Sequence, residues 1–479
     1  SMRLFFSHIT YLGEGILIMS IQQKQHIRTF YILILTQVFS MIGSRISSIA
    51  IGIYLFQKTG NATPLAMIAF FSTLPMVLAS SISGVLADRW DRRIVMVLSD
   101  TGQAICTLLL FISFASGSFE LWHLYIIIAV QSIFGVFQGP AFQASVTMLI
   151  PDNQRDRANA IQQLTGPSSG IIAPAVAGVI YALGGVSLAI LIDMFTFIVA
   201  MIVIFSIHIP RPIQTEVGKK FSGTFRQEIW SGLRYLRGHR PLLYNMLYIS
   251  MINFFFAGMG VLLTPYILGR TGSEVTLGTL QSVQNIGAIA GGITLGIWGG
   301  TKKRMNTIIP GILIAAVVMI GIGMSQNAII LGVMMFCFMF PLPIVNGLFM
   351  SLMQAKVAPD MQGRVFAVMG QMSMLLMPIS FLLVGPLADN IFSPAVGTSA
   401  WATFAPFVGT DAGSGYGLMM VMVGIIGSLL TLSAWAIPQI RNLETLMPNY
   451  VAEEKPSSEQ VITENEPSSI IMDGQPATA

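Results

Sequence analysis

Apolar residues in this chain occur in long runs that are separated by short polar stretches. Each run holds about twenty residues, the length that an α-helix needs to cross the roughly 30 Å hydrocarbon core of a bilayer. Twelve runs are predicted, at residues 30–56, 63–86, 94–115, 122–149, 159–183, 186–208, 242–268, 275–299, 306–325, 327–355, 366–388 and 415–437. The pattern therefore predicts an all-α membrane protein with twelve transmembrane helices.

Composition supports this interpretation and excludes a soluble protein. Apolar residues make up 54% of the 479 residues and charged residues only 10%, whereas roughly a quarter of the residues are charged in ordinary globular domains. A soluble chain of this length would need more polar surface to cover its core. The surplus apolar side chains are therefore expected to face lipid.

The positive charges are distributed very unevenly between alternate loops. Of the 25 Lys and Arg residues, Arg45 lies inside a run, and only Lys58 and Arg270 fall in the loops predicted to face outward, which leaves 22 on the other side. By the positive-inside rule, both termini are then cytoplasmic. The net charge of +4 reflects membrane topology and does not indicate a nucleic-acid partner. We expect a multi-pass protein of the bacterial cytoplasmic (inner) membrane.

A polar stretch divides the predicted helices into six and six. Within it, Phe221, Phe225 and Ile229 recur at helical spacing among charged residues, which predicts an amphipathic helix on the cytoplasmic surface. Residues 4–19 are apolar but too short to span, and Met19 is an alternative start. The predicted organisation is a cytoplasmic N-terminal segment 1–27, a six-helix bundle 28–208, a linker 209–241, a second bundle 242–440 and a disordered cytoplasmic tail 441–479.

The two halves repeat one another in sequence. Pro151-Asp152-Asn153-Gln154 recurs as Pro359-Asp360-Met361-Gln362, and Pro167 is matched by Pro378, with both pairs about 210 residues apart. Parallel repeats of six helices, with a binding site between them near the midplane, are typical of alternating-access carriers.

A ten-residue stretch carries a resemblance to a known family. Gly84-Val85-Leu86-Ala87-Asp88-Arg89-Trp90-Asp91-Arg92-Arg93 resembles motif A of the major facilitator superfamily, with Asp91 in place of the usual glycine, as in the macrolide-efflux branch. Gly385-Pro386-Leu387-Ala388-Asp389 also resembles that branch. The resemblance covers about residues 26–445 and implies two pseudo-symmetric six-helix bundles, and an exporter of drugs or siderophores.

The motif predicts a gate on the cytoplasmic side. Its residues are Gly84, Asp88, Arg89, Arg92 and Arg93. Asp88 can pair with Arg92 and face the positive N-terminus of a helix in the other half, which would latch the inner end when the carrier opens outward. The alternative is that these charges only set topology.

Small residues and prolines recur along the fifth predicted helix. They are Gly166, Pro167, Gly170, Pro174 and Gly178, and the set resembles a loose version of the exporter motif. They either let two helices approach closely or simply kink this one.

Candidate site residues follow from the family pattern, in which the first, fourth, seventh and tenth helices line the cavity. These helices carry Gln37, Arg45, Gln131, Gln138, Asn253, Phe338 and Asn346. Polar groups in a span are functional candidates by default, although single amides often only bond neighbouring helices. Methionines and aromatics of the second half supply adaptable apolar surface.

The coupling candidates are the few charged residues inside spans: Asp193, Arg45 and Asp100. Counting helix rise from the nearest ends places Arg45 and Asp193 at similar depth in the outer half of the membrane, which predicts an ion pair that carries coupling or recognition. The alternatives are a static pair, or an Arg45 that faces cavity water while Asp193 caps a neighbouring helix.

These features predict a secondary active transporter, proton-coupled by family resemblance, that exports amphipathic or apolar small molecules. No ATP-binding P-loop, cofactor or catalytic set is visible in the sequence, and Cys106 and Cys337 lie apart in spans, so neither an enzyme nor a metal site is predicted. We expect a monomer. A lipid or lysolipid flippase, and a receptor or assembly subunit that transports nothing, remain alternatives.

Overall fold

The structure is a computed structural model that describes residues 2–89, 92–149, 155–206, 234, 236–357 and 359–447. Within these ranges, side chains are described except at 2–27, 81–89, 92–93, 140–141, 143–149, 155–160, 162–164, 359–360 and 363–364. The predicted gating residues and most of the predicted linker therefore lie outside the described side chains. Across the described ranges the regular structure is helical, without a strand.

We number the spanning helices α1 to α12 in chain order. They are α1 Met2–Thr59, α2 Thr63–Arg89, α3 Arg92–Ala115, α4 Leu121–Leu149, α5 155–184, α6 186–206, α7 Arg240–Thr271, α8 Glu274–Trp298, α9 Met305–Met324, α10 Ala328–Met339 with Pro341–Lys356, α11 Pro359–Met374 with Met377–Leu387, and α12 Ser414–Ala436.

Length and apolarity alone identify ten membrane-spanning candidates among the described residues. One of them, Thr165–Ser206, contains α5 and α6, because Gly185 breaks the helix with a φ of 63° and a ψ of −161°. A glycine adopts that positive φ without steric strain. Dividing this candidate gives eleven, and α8 is the twelfth, more polar than the others because it carries Gln281, Gln284 and Asn285. The predicted all-α membrane fold is confirmed.

Local sequence explains where α8 begins. The Ser273 hydroxyl accepts a hydrogen bond from the Thr276 backbone N–H at 3.2 Å, so it caps the helix start. Glu274 follows in the first turn, where a carboxylate is stabilised by the helix dipole.

Each half is a bundle of packed helices, and the halves meet along two seams. In the first half α1 packs on α5 and α6, and α4 packs on α2 and α3. In the second half α9 packs on α12, α8 on α10, and α7 on α11 and α12. The seams between the halves are α5 against α8 and α2 against α11. We call the end that carries loops 60–62, 116–120, 272–273 and 396–413 the outer end, following the charge prediction.

The outside of the bundle is apolar, as expected for a surface in lipid. Large side chains such as Leu183, Ile297 and Ile329 are at least 78% exposed on spanning helices. At the N-terminus α1 continues unbroken for 58 residues, roughly 87 Å of helix, of which Arg28–Thr59 is the part that qualifies as a span.

The first residues of the predicted disordered tail have a defined structure. Residues 441–447 are ordered, and the short helix Leu443–Leu446 buries Leu443 completely. The buried ammonium of Lys356 donates hydrogen bonds to the carbonyls of Glu444 (2.7 Å) and Met447 (2.5 Å). The boundary at 441 was therefore wrong, because apolar burial and a lysine bound to carbonyl groups hold this segment under α10.

Candidate functional site

The seam between α5 and α8 is a contact between helix backbones. A Cβ added at Gly278 would lie 2.2 Å from the Pro174 carbonyl oxygen, and one at Gly178 would lie 2.5 Å from the Glu274 carbonyl oxygen. Deeper along the seam, the Ser282 hydroxyl donates to the Ile171 carbonyl at 2.7 Å. Only small residues permit helices to approach this closely.

The structure divides the predicted α5 set by position. Gly170, Pro174 and Gly178 lie against α8, whereas a Cβ added at Gly166 would meet nothing within 4 Å. Pro167 lies inside the helix. The close-packing interpretation thus describes three of the five residues, those nearer the outer end.

Arg45 faces the space between the two halves. Its Nη1 lies 3.2 Å from the Cβ position of Gly170, beside the Asn285 side chain of α8. Its helix α1 packs on α5 and α6 and also contacts α2, α4 and α7, so its exposed side chain points into the interior of the transporter. Among the described residues it makes no hydrogen bond or ion pair.

The predicted ion pair between Arg45 and Asp193 does not form. Among the described side chains the one ion pair is Arg270–Asp411, and the Ser44 hydroxyl instead donates to Asp193 Oδ1 at 2.9 Å. The prediction compared depths but not rotation about the helix. Ser44 and Arg45 are about 100° apart around α1, so the serine meets α6 while the arginine faces the cavity.

Asp193 is enclosed by neutral donors. Its side chain is 3% exposed, and the hydroxyls of Ser44 and Thr107 reach its carboxyl group. Close packing of α1 on α6 shapes this pocket, because a Cβ at Gly43 would lie 2.2 Å from the Thr196 hydroxyl oxygen. Asp193 is thus a buried carboxyl group with no cation bound to it among the described side chains. Its partner Ser44 immediately precedes the cavity-facing Arg45.

A second buried carboxyl group lies between α3 and α4. The Gln138 amide donates to Asp100 Oδ1, and Gln103 donates to Gln138 at 2.9 Å. Asp100 is 1% exposed, and its other oxygen, Oδ2, has no hydrogen-bond partner among the residues that the structure describes. Gln138, predicted to line the cavity, thus forms hydrogen bonds within the first half, to Asp100 and Gln103.

The remaining predicted cavity residues fall into three groups. Gln131 and Asn253 bond within their own halves, to the Thr107 hydroxyl (3.3 Å) and to the Ser373 carbonyl (3.0 Å). Phe338 lies in the apolar core of the second half, edge-on to Phe256. Asn346 is exposed, and the buried Gln37 amide nitrogen has no partner within the described part of the chain.

Sequence reasoning missed the amides of α8. The Asn285 amide nitrogen donates to the Gln281 carbonyl at 2.8 Å, which leaves its Oδ1 directed at Gly170 beside Arg45. Three amides at positions i, i+3 and i+4 of a span are a visible signal of a functional face, but the family pattern places the cavity on other helices.

A small apolar cavity opens on the lipid side of the second half, between α7, α11 and α12. Its volume is about 190 Å³, and Ser380 is the one polar residue of its lining, which includes Phe254, Met259 and Met419. Binding pockets for drug-sized ligands are about 300–1,000 Å³. This cavity is too small for such a molecule and is not the candidate site.

Two six-helix bundles that meet along narrow seams, with polar side chains directed between them, define a membrane transporter. The sequence model of the Major Facilitator Superfamily matches residues 33–381, and the chain belongs to that family. Because the family and its fold are those of transporters, the prediction that the chain is not an enzyme is confirmed.

Two relatives indicate which members of the superfamily this chain is similar to. The chain is 28% identical over 370 residues to macrolide efflux protein A of Streptococcus pyogenes, covering 76% of this chain and 90% of that one. It is 23% identical over 379 residues to the multidrug efflux pump Tap of Mycolicibacterium fortuitum, covering 72% and 86%.

Solved structures share the fold. A bacterial homologue of the human lysosomal transporter Spinster, inward-facing and unoccupied, matches with a TM-score of 0.65 at 14% identity, covering 86% of this chain and 96% of that one. The nucleoside transporter NupG matches with a TM-score of 0.61 at 10% identity, covering 85% and 98%.

Proposed function

We propose that this transporter exports amphipathic or apolar small molecules from the bacterial cytoplasm, driven by the proton gradient. It acts as a monomer in the cytoplasmic membrane with both termini inside. The observation that carries the proposal is the position of Arg45, which faces the cavity and has no partner among the described residues. It follows Ser44, which bonds the buried Asp193.

The substrate site lies between the halves, where Arg45 and Asn285 meet beside Gly170. A guanidinium offers five N–H donors and the Asn285 oxygen offers an acceptor. With one positive charge and few other ionised groups nearby, the site selects bulky compounds that combine apolar surface with an oxygen acceptor. An arginine held in the membrane without a partner is costly, and a substrate oxygen would lower that free energy.

Export is supported by the relatives. Macrolide efflux protein A and the multidrug efflux pump Tap are named for efflux, and their similarity extends over more than two thirds of this chain. We carry the direction and the bulky, amphipathic substrate class over to this chain on that basis.

Coupling is assigned to Asp193. A carboxyl group among neutral hydroxyls can exist protonated or ionised, and no cation of the described residues pairs with Asp193 to fix the ionised form. Ser44 bonds Asp193, and the next residue, Arg45, meets the substrate, so a movement of α1 links the two sites. Binding of substrate to one conformation then changes the proton occupancy in that conformation.

Inside-out membrane vesicles test the proposed function directly. An acidified lumen should drive uptake of a radiolabelled macrolide or a comparable amphipathic drug, and collapse of the pH gradient should abolish it. Movement of a fluorescent lysolipid without any solute uptake would instead establish the flippase. Movement of neither would point to a receptor or assembly subunit and contradict the proposal.

Binding strength should follow apolar surface. Each roughly 55 Å² of additional buried apolar area should raise affinity about tenfold at 25 cal/mol/Å², measured across a series of amphipathic ligands in detergent. Arg45→Gln should lower the affinity for the oxygen-rich or anionic ligands of the series about tenfold relative to the affinity for the hydrocarbon-rich ones. Arg441→Gln, at an exposed arginine of the inner end, is the matched control. Preferential binding of small sugars would show that the proposed selectivity is wrong.

A further inference from the structure

The carboxylate of Asp389 links the outer ends of the two halves. Asp389 of the second half accepts hydrogen bonds from the backbone N–H groups of Ala62 (2.8 Å) and Thr63 (2.7 Å), and from the Thr63 hydroxyl (2.5 Å). Both carboxylate oxygens take part. These N–H groups start α2, where the first turn of a helix lacks internal acceptors. Asp389 therefore caps a helix of the opposite half, 326 residues away.

The contact is built into the backbone. One turn before Asp389, a Cβ added at Gly385 would lie 2.7 Å from Thr63 Cα, so only glycine lets α11 approach the start of α2. Asp389 itself lies in the π-helical turn Ala388–Phe392. Such π-helical turns occur mostly as single turns within α-helices, and they are frequent at functional sites.

A similar five-residue sequence occurs at the other end of the α2–α11 pair. Gly385-Pro386-Leu387-Ala388-Asp389 near the end of α11 matches Gly84-Val85-Leu86-Ala87-Asp88 at the end of α2 in four of five positions. The two helices run antiparallel, because Gly385 lies beside Thr63 while Gln371 bonds to Ser80. Each helix thus carries this sequence at its C-terminal end, next to where its partner begins.

A second, more exposed link lies at the other seam. Gln57 of α1 donates to the Glu274 carboxylate at 2.5 Å, and the Tyr181 hydroxyl donates to Gln57 at 2.8 Å. This link is exposed, where a single polar contact contributes little. The half-buried Asp389, with three charge-assisted hydrogen bonds, is the stronger of the two.

We propose that Asp389 is a positioning residue of the transport cycle, which holds the outer end closed by capping α2 and must release that helix for the carrier to open outward. The cap is specific to one conformation, because the N–H groups of α2 and the carboxylate lie on different halves. The assignment rests on the proposed function, since an outer gate has a role only in alternating access. Asp88 is expected to act at the opposite end, so the two carboxylates favour opposite conformations.

Distances between spin labels across the outer end test this assignment independently of transport. Labels replace the exposed loop residues Ser118 of the first half and Thr398 of the second, in a full-length chain with Cys106 and Cys337 changed to serine. Asp389→Asn should raise the outward-open population about tenfold, and Asp389→Glu should restore part of the closed population. Thr63→Val, which removes one of the three bonds, should shift it in the same direction by less.

Asp411→Asn is the matched control. Asp411 is also an outer carboxylate with three partners, Arg270, Gly413 and Ser414, but all belong to its own half. Asp411→Asn should leave the distances between the two spin labels unchanged. Unchanged distances in a folded Asp389→Asn protein, or an equal shift in Asp411→Asn, would overturn the proposed role of Asp389. Wild-type protein that moves no substrate would refute the proposed function while leaving the distance result interpretable.

Discussion

Replacing Gly278 with alanine is expected to reduce transport at least tenfold. The added methyl carbon would lie 2.2 Å from the Pro174 carbonyl oxygen, a backbone atom that can yield only if α5 and α8 separate. Such overpacking costs about 1–3 kcal/mol. Because the strain lies between the halves, it acts on the closure of the outer end as well as on stability. Vesicle transport and the thermal midpoint of the purified protein measure the two effects.

Gly292→Ala, on the same helix, is the matched control. No atom lies within 4 Å of its Cβ position, so alanine there should transport normally and gain up to about 1 kcal/mol from higher helix propensity. Equal transport by the two variants would contradict the close contact at the α5–α8 seam.

Asp193→Asn is expected to abolish gradient-driven accumulation while leaving the protein folded. Asparagine has nearly the same shape and can still accept the hydrogen bond from Ser44, but it cannot bind and release a proton. Accumulation against a gradient should fall at least tenfold, whereas exchange of labelled for unlabelled substrate at equilibrium should persist.

Asp411→Asn serves again as a control, because that carboxylate lies at the outer end and bonds within one half. Asp100→Asn should have a smaller effect, since Asp100 is held between α3 and α4 by Gln138. Wild-type accumulation by a well-expressed Asp193→Asn protein would exclude Asp193 from coupling.

Helix positions were predictable from sequence because apolar run length has a direct physical meaning in a bilayer. The predicted 275–299 and 306–325 match Glu274–Trp298 and Met305–Met324 within one residue. In the structure, Ser273 caps the start of α8 and Gly185 breaks the helix between α5 and α6.

Helix rotation was not predictable in the same way. Spans that are apolar on every side carry no amphipathic signal to say which face packs inward. Ser44 and Arg45 are neighbours, yet one meets Asp193 and the other the cavity. The same limit explains why Phe338 was assigned to the cavity although it packs in the core. Asn285 was missed for a different reason, because the family pattern places the cavity on other helices than α8.

The contact of Asp389 with the start of α2 was predictable from the sequence only in part. The sequence from Gly385 to Asp389 resembles the efflux branch, but it does not identify the partner of Asp389, because Thr63 is 326 residues away. Long-range pairing of this kind depends on which helices adjoin, and the antiparallel packing of α2 on α11 supplies that information.

Substrate-driven proton movement in proteoliposomes tests the central claim most directly. An outward substrate gradient, imposed with no pH gradient at the start, should drive protons the opposite way through an antiporter, because coupling between two ligands is reciprocal. A lumenal pH dye should report acidification with wild-type protein and none with Asp193→Asn. Substrate efflux at the wild-type rate with a flat pH trace would contradict proton-coupled export by this transporter.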